Sequence, residues 1–239
     1  MATSERTRGR CNLCGTEYTR GGMSKHLVAC APKHLAENPP AGVTEKPVFL
    51  LVIYGASNPE YWIHVAVPAT AALEDLDEFL RRIWLECCGH LSQFIIGKTY
   101  YVDDETLRES WFPPFSFRED RSMRTRLREV LKDGVEFIHE YDMGTTTRLK
   151  LKVLATFTAR VRRGEVILLS RNDPPERLCQ ECGQPARFIC AECRWVGRGW
   201  LCPRCAKKHK CGVEMLLPVV NSPRVGMCGY TGGAGWDWG

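Results

Sequence analysis

The sequence predicts an α+β fold: a mainly antiparallel sheet with two or more helices, flanked by small zinc-binding modules. Three observations predict it. Residues 148–161 alternate apolar and polar side chains, which is the period of a half-buried strand. Leu73, Leu76, Leu80, Ile83, Trp84 and Cys87 instead recur along one helical face. Eight of the 13 cysteines form four C-x-x-C pairs, gathered toward the two ends of the chain.

The totals bound the possibilities. A chain of 239 residues, 44% hydrophobic and 26% charged, has a globular composition. No apolar run approaches the ~18 residues of a membrane span, and MATSERTRGR lacks the apolar stretch of a secretory signal. The expected setting is cytoplasmic. In a reducing compartment, Cys11/Cys14, Cys179/Cys182, Cys190/Cys193 and Cys202/Cys205 read as metal ligands rather than disulfides. A tight turn aims two thiolates at one ion, and a second pair completes a tetrahedron.

The cysteines divide the chain into residues 1–46, 47–170 and 171–239, with ENPPAGVTEKP as a connector after the first part. The first part has seven Lys and Arg against four acids, the last ten against six, and the middle 16 against 18. Positive charge therefore travels with the cysteine-rich ends. It suits nucleic acid, or equally the neutralisation of anionic zinc-thiolate sites.

The first part reads Cys11-x2-Cys14-x11-His26-x3-Cys30 and resembles a CCHC zinc finger. Met23, His26, Leu27 and Cys30 share one helical face, and Tyr18 takes the aromatic position after the second cysteine. Arg6, Arg8, Arg10, Arg20 and Lys25 are candidate phosphate contacts, whereas His34 reads as a surface residue. The competing reading is a zinc-stapled knob that rests on another protein or on the chain's own body.

In the middle part, YWIHVAV (61–67) reads as a strand with Tyr61, Ile63, Val65 and Val67 on one face. Thr70 is the expected N-cap of the helix through Cys87. Residues 92–102 read as another strand. RSMRTRLREVLKDG reads as a helix with Leu127, Val130 and Leu131 inward and Gly134 as its stop. Residues 148–161 should pair with VEFIHEY before them and GEVILLS after them. Cys87 and Cys88 read as buried structural residues. Asp103, Asp104 and Glu105 form an acidic cluster and Asp142 sits at a hairpin mouth, carboxylates that could hold a metal or do acid-base chemistry, but a solvated loop and an Asx turn are the commoner explanations. His64 and His139 fall within strands with no nucleophile beside them.

The run LREVLKDGVEFIHEYDMGTTTRLKLKV, after two strands and a helix, resembles the Ri-plasmid open-reading-frame-three family, some members of which travel with insertion elements. The resemblance covers about residues 47–165 and is most specific at YDMGTTTRLKLKV. Many members have an aromatic after the Asp and an acidic-Gly-Trp stretch after the Gly. Here Met143 and Thr145, Thr146 and Thr147 stand instead. RNDPPERLCQECG and PVVNSPRVGMCGY look similar to zinc-bearing relatives. The resemblance implies a fold, not a reaction.

The last part offers nine candidate ligands: Cys179, Cys182, Cys190, Cys193, Cys202, Cys205, His209, Cys211 and Cys228. The short gaps favour a cross-braced pair of sites, with Cys179, Cys182, Cys202 and Cys205 on one ion. In the cross-braced arrangement Cys190 and Cys193 would be joined by His209 and Cys228, with Cys211 as the alternative. The sequential rival puts the first four of these cysteines on one ion. With the finger, three zinc ions are expected. The pattern is similar to B-box and MYND-like modules without matching either closely. ARFI and Trp200-Leu201 should form a small hairpin, and Arg204, Lys207, Lys208 and Lys210 are further phosphate candidates. Trp195, Trp200, Trp236 and Trp238 would suit a protein interface instead.

Together these features predict a non-enzymatic zinc protein that binds DNA or RNA through basic modules and is associated with mobile elements. The alternatives are a protein-protein adaptor and a metal-dependent enzyme using the middle carboxylates.

Overall fold

The computed structural model describes residues 7–37, 42–109 and 119–233. The chain separates into two units: residues up to Phe79 with Leu91–Asp173, and Leu80–His90 with residues from Pro174 onward. In the first unit the strands are β1 Arg8–Cys11, β2 Glu17–Thr19, β3 Glu45–Gly55, β4 Trp62–Pro68, β5 Ser92–Ile96, β6 Thr99–Val102, β7 Glu119–Ser122, β8 Glu136–Tyr141, β9 Thr147–Arg160 and β10 Ile167–Asn172. The helices are α1 Arg20–Glu37, α2 Leu73–Leu80, α3 Asp104–Glu109 and α4 Leu127–Val130. The strands form one sheet in the order β2-β1-β10-β4-β3-β9-β8-β5-β6-β7. Every pairing is antiparallel except β6 with β7. The fold class is α+β, as the periods predict.

Strand β9 follows the predicted alternation: Leu149, Leu151 and Val153 are buried while Arg148 and Lys150 are exposed. Its neighbours are β8 and β3, not β10. The reason is that β3 is buried on both faces from Val48 to Ile53 and so takes a central place in the sheet. Strand β4 is likewise buried along its whole length, so Trp62, His64 and Ala66 are covered as fully as Ile63, Val65 and Val67.

Other expectations are revised locally. The segment 92–102 is a hairpin, β5 and β6, turning at Gly97-Lys98. The helix expected after Arg121 shrinks to the single turn of α4, with Leu127 and Leu131 buried, and β7 takes the residues before it. Thr70 does not cap α2. The Asp75 carboxylate accepts the Ala72 N–H at 2.8 Å, and the Thr125 and Met123 carbonyls accept the next two N–H groups. Past Leu80 the chain widens into a π-helical turn, Arg81–Leu85, which ends as Glu86 N–H donates to the Arg81 carbonyl at 2.9 Å. The helix is over before Cys87, which therefore leaves the apolar stripe.

The finger is built into the sheet. β1 pairs with β10, and Met23, Leu27, Cys30 and Ala31 of α1 share a core with Cys11, Val48, Leu50, Trp62, Ala66 and Leu169. Each of the larger aliphatic side chains among them adds about 1.5–3 kcal/mol of burial. Gly9 permits the join, because a Cβ there would collide with the Arg171 carbonyl and the Trp62 ring. Of the two readings of the finger's surroundings, contact with the chain's own body is the one observed.

The second unit has a small sheet, β12-β11-β13, formed by β11 Phe188–Cys190, β12 Trp200–Leu201 and β13 Leu216–Pro218, with one helical turn, α5 Pro203–Ala206. The expected hairpin is present, with Phe188 opposite Leu201; β13 adds a third strand. The segment 80–90 is anchored in this unit by Trp84, whose indole N–H donates to the Asn221 carbonyl at 3.1 Å and whose carbonyl accepts from Ser222 at 2.7 Å. No described helix is long and apolar enough to cross a membrane.

Candidate metal centres

Four clusters of four donors stand out, the donor atoms of each lying within 4.8 Å of one another. They are Cys11/Cys14/His26/Cys30, Cys179/Cys182/Cys202/Cys205, Cys190/Cys193/His209/Cys211 and Cys87/Cys88/His90/Cys228. Around a tetrahedral ion with metal–sulfur bonds of about 2.3 Å, sulfurs stand ~3.8 Å apart.

In the first cluster, the knuckle after Cys11 closes as Gly15 N–H donates to the Cys11 carbonyl at 2.8 Å. Helix α1 then returns His26 and Cys30 on one face. Cys11 Sγ lies 3.9 Å from Cys30 Sγ, and Cys14 Sγ 3.3 Å from His26 Nε2. The Tyr18 ring stacks on His26 at 4.7 Å, which explains the aromatic at that position.

The second and third clusters interleave: the Cys179/Cys182 and Cys202/Cys205 pairs meet, while Cys190/Cys193 takes His209 and Cys211. Cys182 Sγ is 3.6 Å from both Cys202 and Cys205. Cys193 Sγ is 3.4 Å from His209 Nε2 and 3.6 Å from Cys211. The expected partnership of His209 with Cys228 is thus replaced by His209 with Cys211. One intervening residue, Lys210, suffices because the chain turns after α5, where His209 N–H bonds the Ala206 carbonyl at 3.1 Å.

Cys228 belongs to the fourth cluster, which ligand spacing in the sequence does not reveal. Cys88 Sγ lies 3.6 Å from Cys87, 3.8 Å from Cys228 and 3.1 Å from His90 Nε2, and His90 Nε2 lies 3.1 Å from Cys228. Cys87 and Cys88 are not buried structural residues; Cys88 is exposed and Cys87 half-buried. The signal was the run Cys87-Cys88-Gly89-His90, whose donors lie too close together to resemble a C-x-x-C pair.

The thiols carry an electrostatic conflict. In the first cluster, hydrogen bonds from Thr16 hold Cys14 down to about 6, while burial and the neighbouring Cys11 push Cys30 up to about 12. Burial opposes ionisation of Cys179, but backbone N–H groups outweigh it and bring the thiol to about 6; contact with Cys182, then burial, raises Cys205 to about 12. Contact with Cys211 raises Cys193, and contact with Cys87 raises Cys88, each to about 12. In each cluster at least one thiol is thus held back from ionising. A divalent cation removes that conflict, because it replaces the protons with charge the sulfurs share.

The basic residues divide in the same terms. Arg204 bonds Cys182, and the adjacent sulfurs raise its own proton affinity, so it neutralises a cluster. Arg10 pairs with Glu17 at 2.9 Å. Arg8 donates to the Glu17 carbonyl at 3.2 Å, and Arg20 donates to the Pro59 carbonyl while lying 4.0 Å over the Tyr54 ring. Lys25, Lys207, Lys208 and Lys210 are exposed. Arg6, Trp236 and Trp238 lie outside the described residues.

The middle carboxylates are engaged locally. Asp103 accepts the N–H and hydroxyl of Thr106 at 2.8 and 2.7 Å, capping α3. Asp104 accepts from Ser122 and pairs with Arg124 at 3.0 Å. Asp142, at φ 66°, accepts the N–H groups of Gly144 and Thr145 at 3.0 Å, the Asx turn considered for it. His139, fully buried, contacts Asp77 at 2.6 Å.

No protein-family model matches the chain, and no curated protein matches it. Among solved structures, it is similar to a protein of unknown function from Methanosarcina mazei Go1. That match has 14% identity and a TM-score of 0.40, and covers 59% of this chain and 76% of the other.

Proposed function

We propose that the chain is a zinc protein whose four clusters hold structural ions and whose second unit presents a basic surface to nucleic acid. The observation that carries the zinc reading is the complete use of its donors: all 13 cysteines and three of the six histidines fall into four closed tetrads. Sulfur-rich tetrahedral sets favour zinc among the common divalent ions, and a set with no open position is structural rather than catalytic. The buried group around the second cluster is small, Cys179, Leu201, Cys202 and Ala206, so metal supplies much of the folding energy there, about 10 kcal/mol or more per site.

With four divalent ions bound, 13 thiolates contribute a net five negative charges and cancel the formal +5 of the chain. Attraction to nucleic acid must then be local. It centres on the third cluster, around which the ligands gather exposed Arg198, Lys207, Lys208 and Lys210. The resemblance of residues 47–165 to the Ri-plasmid family supports an association with mobile elements. Binding of duplex and single-stranded DNA and RNA across a salt series tests the proposal. Affinity should fall steeply with salt, and a flat or absent response sinks it.

A specific observation favours the adaptor reading as the second. Trp195, Val196 and Val213 flank the same cluster and are 64%, 73% and 71% exposed. A protein partner would cover them, and its binding would respond weakly to salt.

A further inference from the structure

The cluster of Cys87, Cys88, His90 and Cys228 differs from the other three. None of its ligands is buried, whereas each of the others has at least one buried sulfur. Its donors come from segments 140 residues apart, Cys88 against Cys228. Two backbone positions are bent to bring them together. Gly89 has φ 76°, which lets Cys88 and His90 face one point, and Cys228 holds φ 43°, a conformation that residues with a side chain seldom adopt. Such strain persists only where other interactions enforce it.

Arg224 adds a second, independent observation. Its side chain is fully buried, and one guanidinium nitrogen, Nη2, donates to Cys87 Sγ at 3.4 Å. A guanidinium keeps its charge at accessible pH, so Arg224 sets a fixed, buried positive charge and a hydrogen-bond donor against Cys87 Sγ. Three thiolates and a neutral imidazole around a divalent ion carry one negative charge, which Arg224 balances.

We infer that this cluster is the chain's exchangeable metal site, taking a thiophilic divalent cation, with Arg224 as the positioning residue that holds Cys87 ready for it. The inference rests on the reading of the other three clusters as zinc sites. On binding, the protons of the cysteine thiols pass to solvent, the sulfurs bond the ion, and His90 adds its Nε2 lone pair. Cys88 and Cys228 are open to solvent, so a competing ligand reaches the ion by stepwise exchange. In the other clusters the buried sulfurs must first be uncovered. Occupancy of the site pins residues 80–90 to the segment around Cys228.

The test uses the full chain, saturated with zinc and then mixed with a chromophoric zinc chelator. One equivalent in four should leave at least ~10-fold faster than the rest, as fits its exposure. Cys228→Ser should remove that fast equivalent and keep three. Arg224→Met should weaken zinc at this site by ~10–100-fold, with Arg224→Lys restoring part of the loss and the other three equivalents unmoved. If Arg224→Met does not fold, His90→Ala, a change at a half-exposed ring, gives the same reading of the fast equivalent. Release of all four ions in one phase overturns the inference, as does a fast phase that survives Cys228→Ser. An unchanged fourth equivalent in Arg224→Met overturns the role of the arginine. A chain that holds three ions and never a fourth fails this inference and leaves the other three zinc sites standing, whereas a chain with no zinc fails the zinc reading itself.

Discussion

Ser24, on the finger helix, stands 2.8 Å from Nε2 of His64 at the centre of strand β4. Ser170 of β10 stands 3.0 Å from the other ring nitrogen. The finger helix and two sheet strands thus meet on one buried imidazole, so the finger's geometry and the sheet's are a single problem. Burial, and then the charge of Arg20, lower His64 to about 3. It is folded in as the neutral ring, with one serine donating to it and the other accepting.

That state makes stability depend on pH. The unfolded chain protonates this histidine below about pH 6.5, while the folded chain resists until about 3. Between those values the unfolded state binds more protons, so stability falls as pH drops, by roughly 3 kcal/mol on reaching pH 4. Denaturant unfolding from pH 7 to 4 should show a shallower loss in His64→Gln than in the natural chain. Equal slopes would mean that His64 does not contribute.

The finger should also behave as part of the first unit's core. Cys11 and Cys30 are packed with Met23, Leu27, Trp62 and Leu169. Cys30→Ser is therefore expected to destabilise the first unit by more than ~3 kcal/mol, measured by chemical denaturation of the zinc-loaded chain. A finger acting as an independent knob would leave that transition where it was.

The surface around the third cluster separates the two partner readings. Replacing Lys207, Lys208 and Lys210 by alanine should reduce the slope of nucleic-acid affinity against salt by up to ~1 per lysine that meets a phosphate. Trp195→Ala should leave that slope unchanged. A partner protein seated on the exposed indole would instead lose ~2 kcal/mol or more with Trp195→Ala.

Arg204 offers a control on how charge is assigned. Because it bonds Cys182, Arg204→Gln should weaken zinc at the Cys179/Cys182/Cys202/Cys205 cluster by ~10-fold or more, with little change in the salt slope. A lowered salt slope with unchanged zinc retention would return Arg204 to the phosphate contacts.

How much of this was legible follows from the range of each signal. The alternation through Leu149, Leu151 and Val153 identifies a strand from its own residues, because burial on one face is written locally. The finger was legible for the same reason, since all four ligands lie between Cys11 and Cys30. Strand order was not: β10 follows β9 in sequence yet pairs with β4 and β1, a choice made by the doubly buried β3. The fourth cluster was hidden by two effects. A π-helical turn at Arg81–Leu85 releases Cys87 from a stripe that sequence periodicity extends through it. Its last ligand, Cys228, lies 140 residues beyond Cys88, and spacing rules carry no information over that distance. Cys211 against Cys228 was undecidable for the same reason: the deciding partner was elsewhere.

The most direct measurement is the number of zinc ions per chain at saturation, read by native mass spectrometry of the full protein in zinc-supplemented buffer. Four tetrads predict four ions, and Cys228→Ser predicts three. Saturation of the natural chain at three ions would remove the fourth cluster, and saturation at two or fewer would contradict the zinc account as a whole.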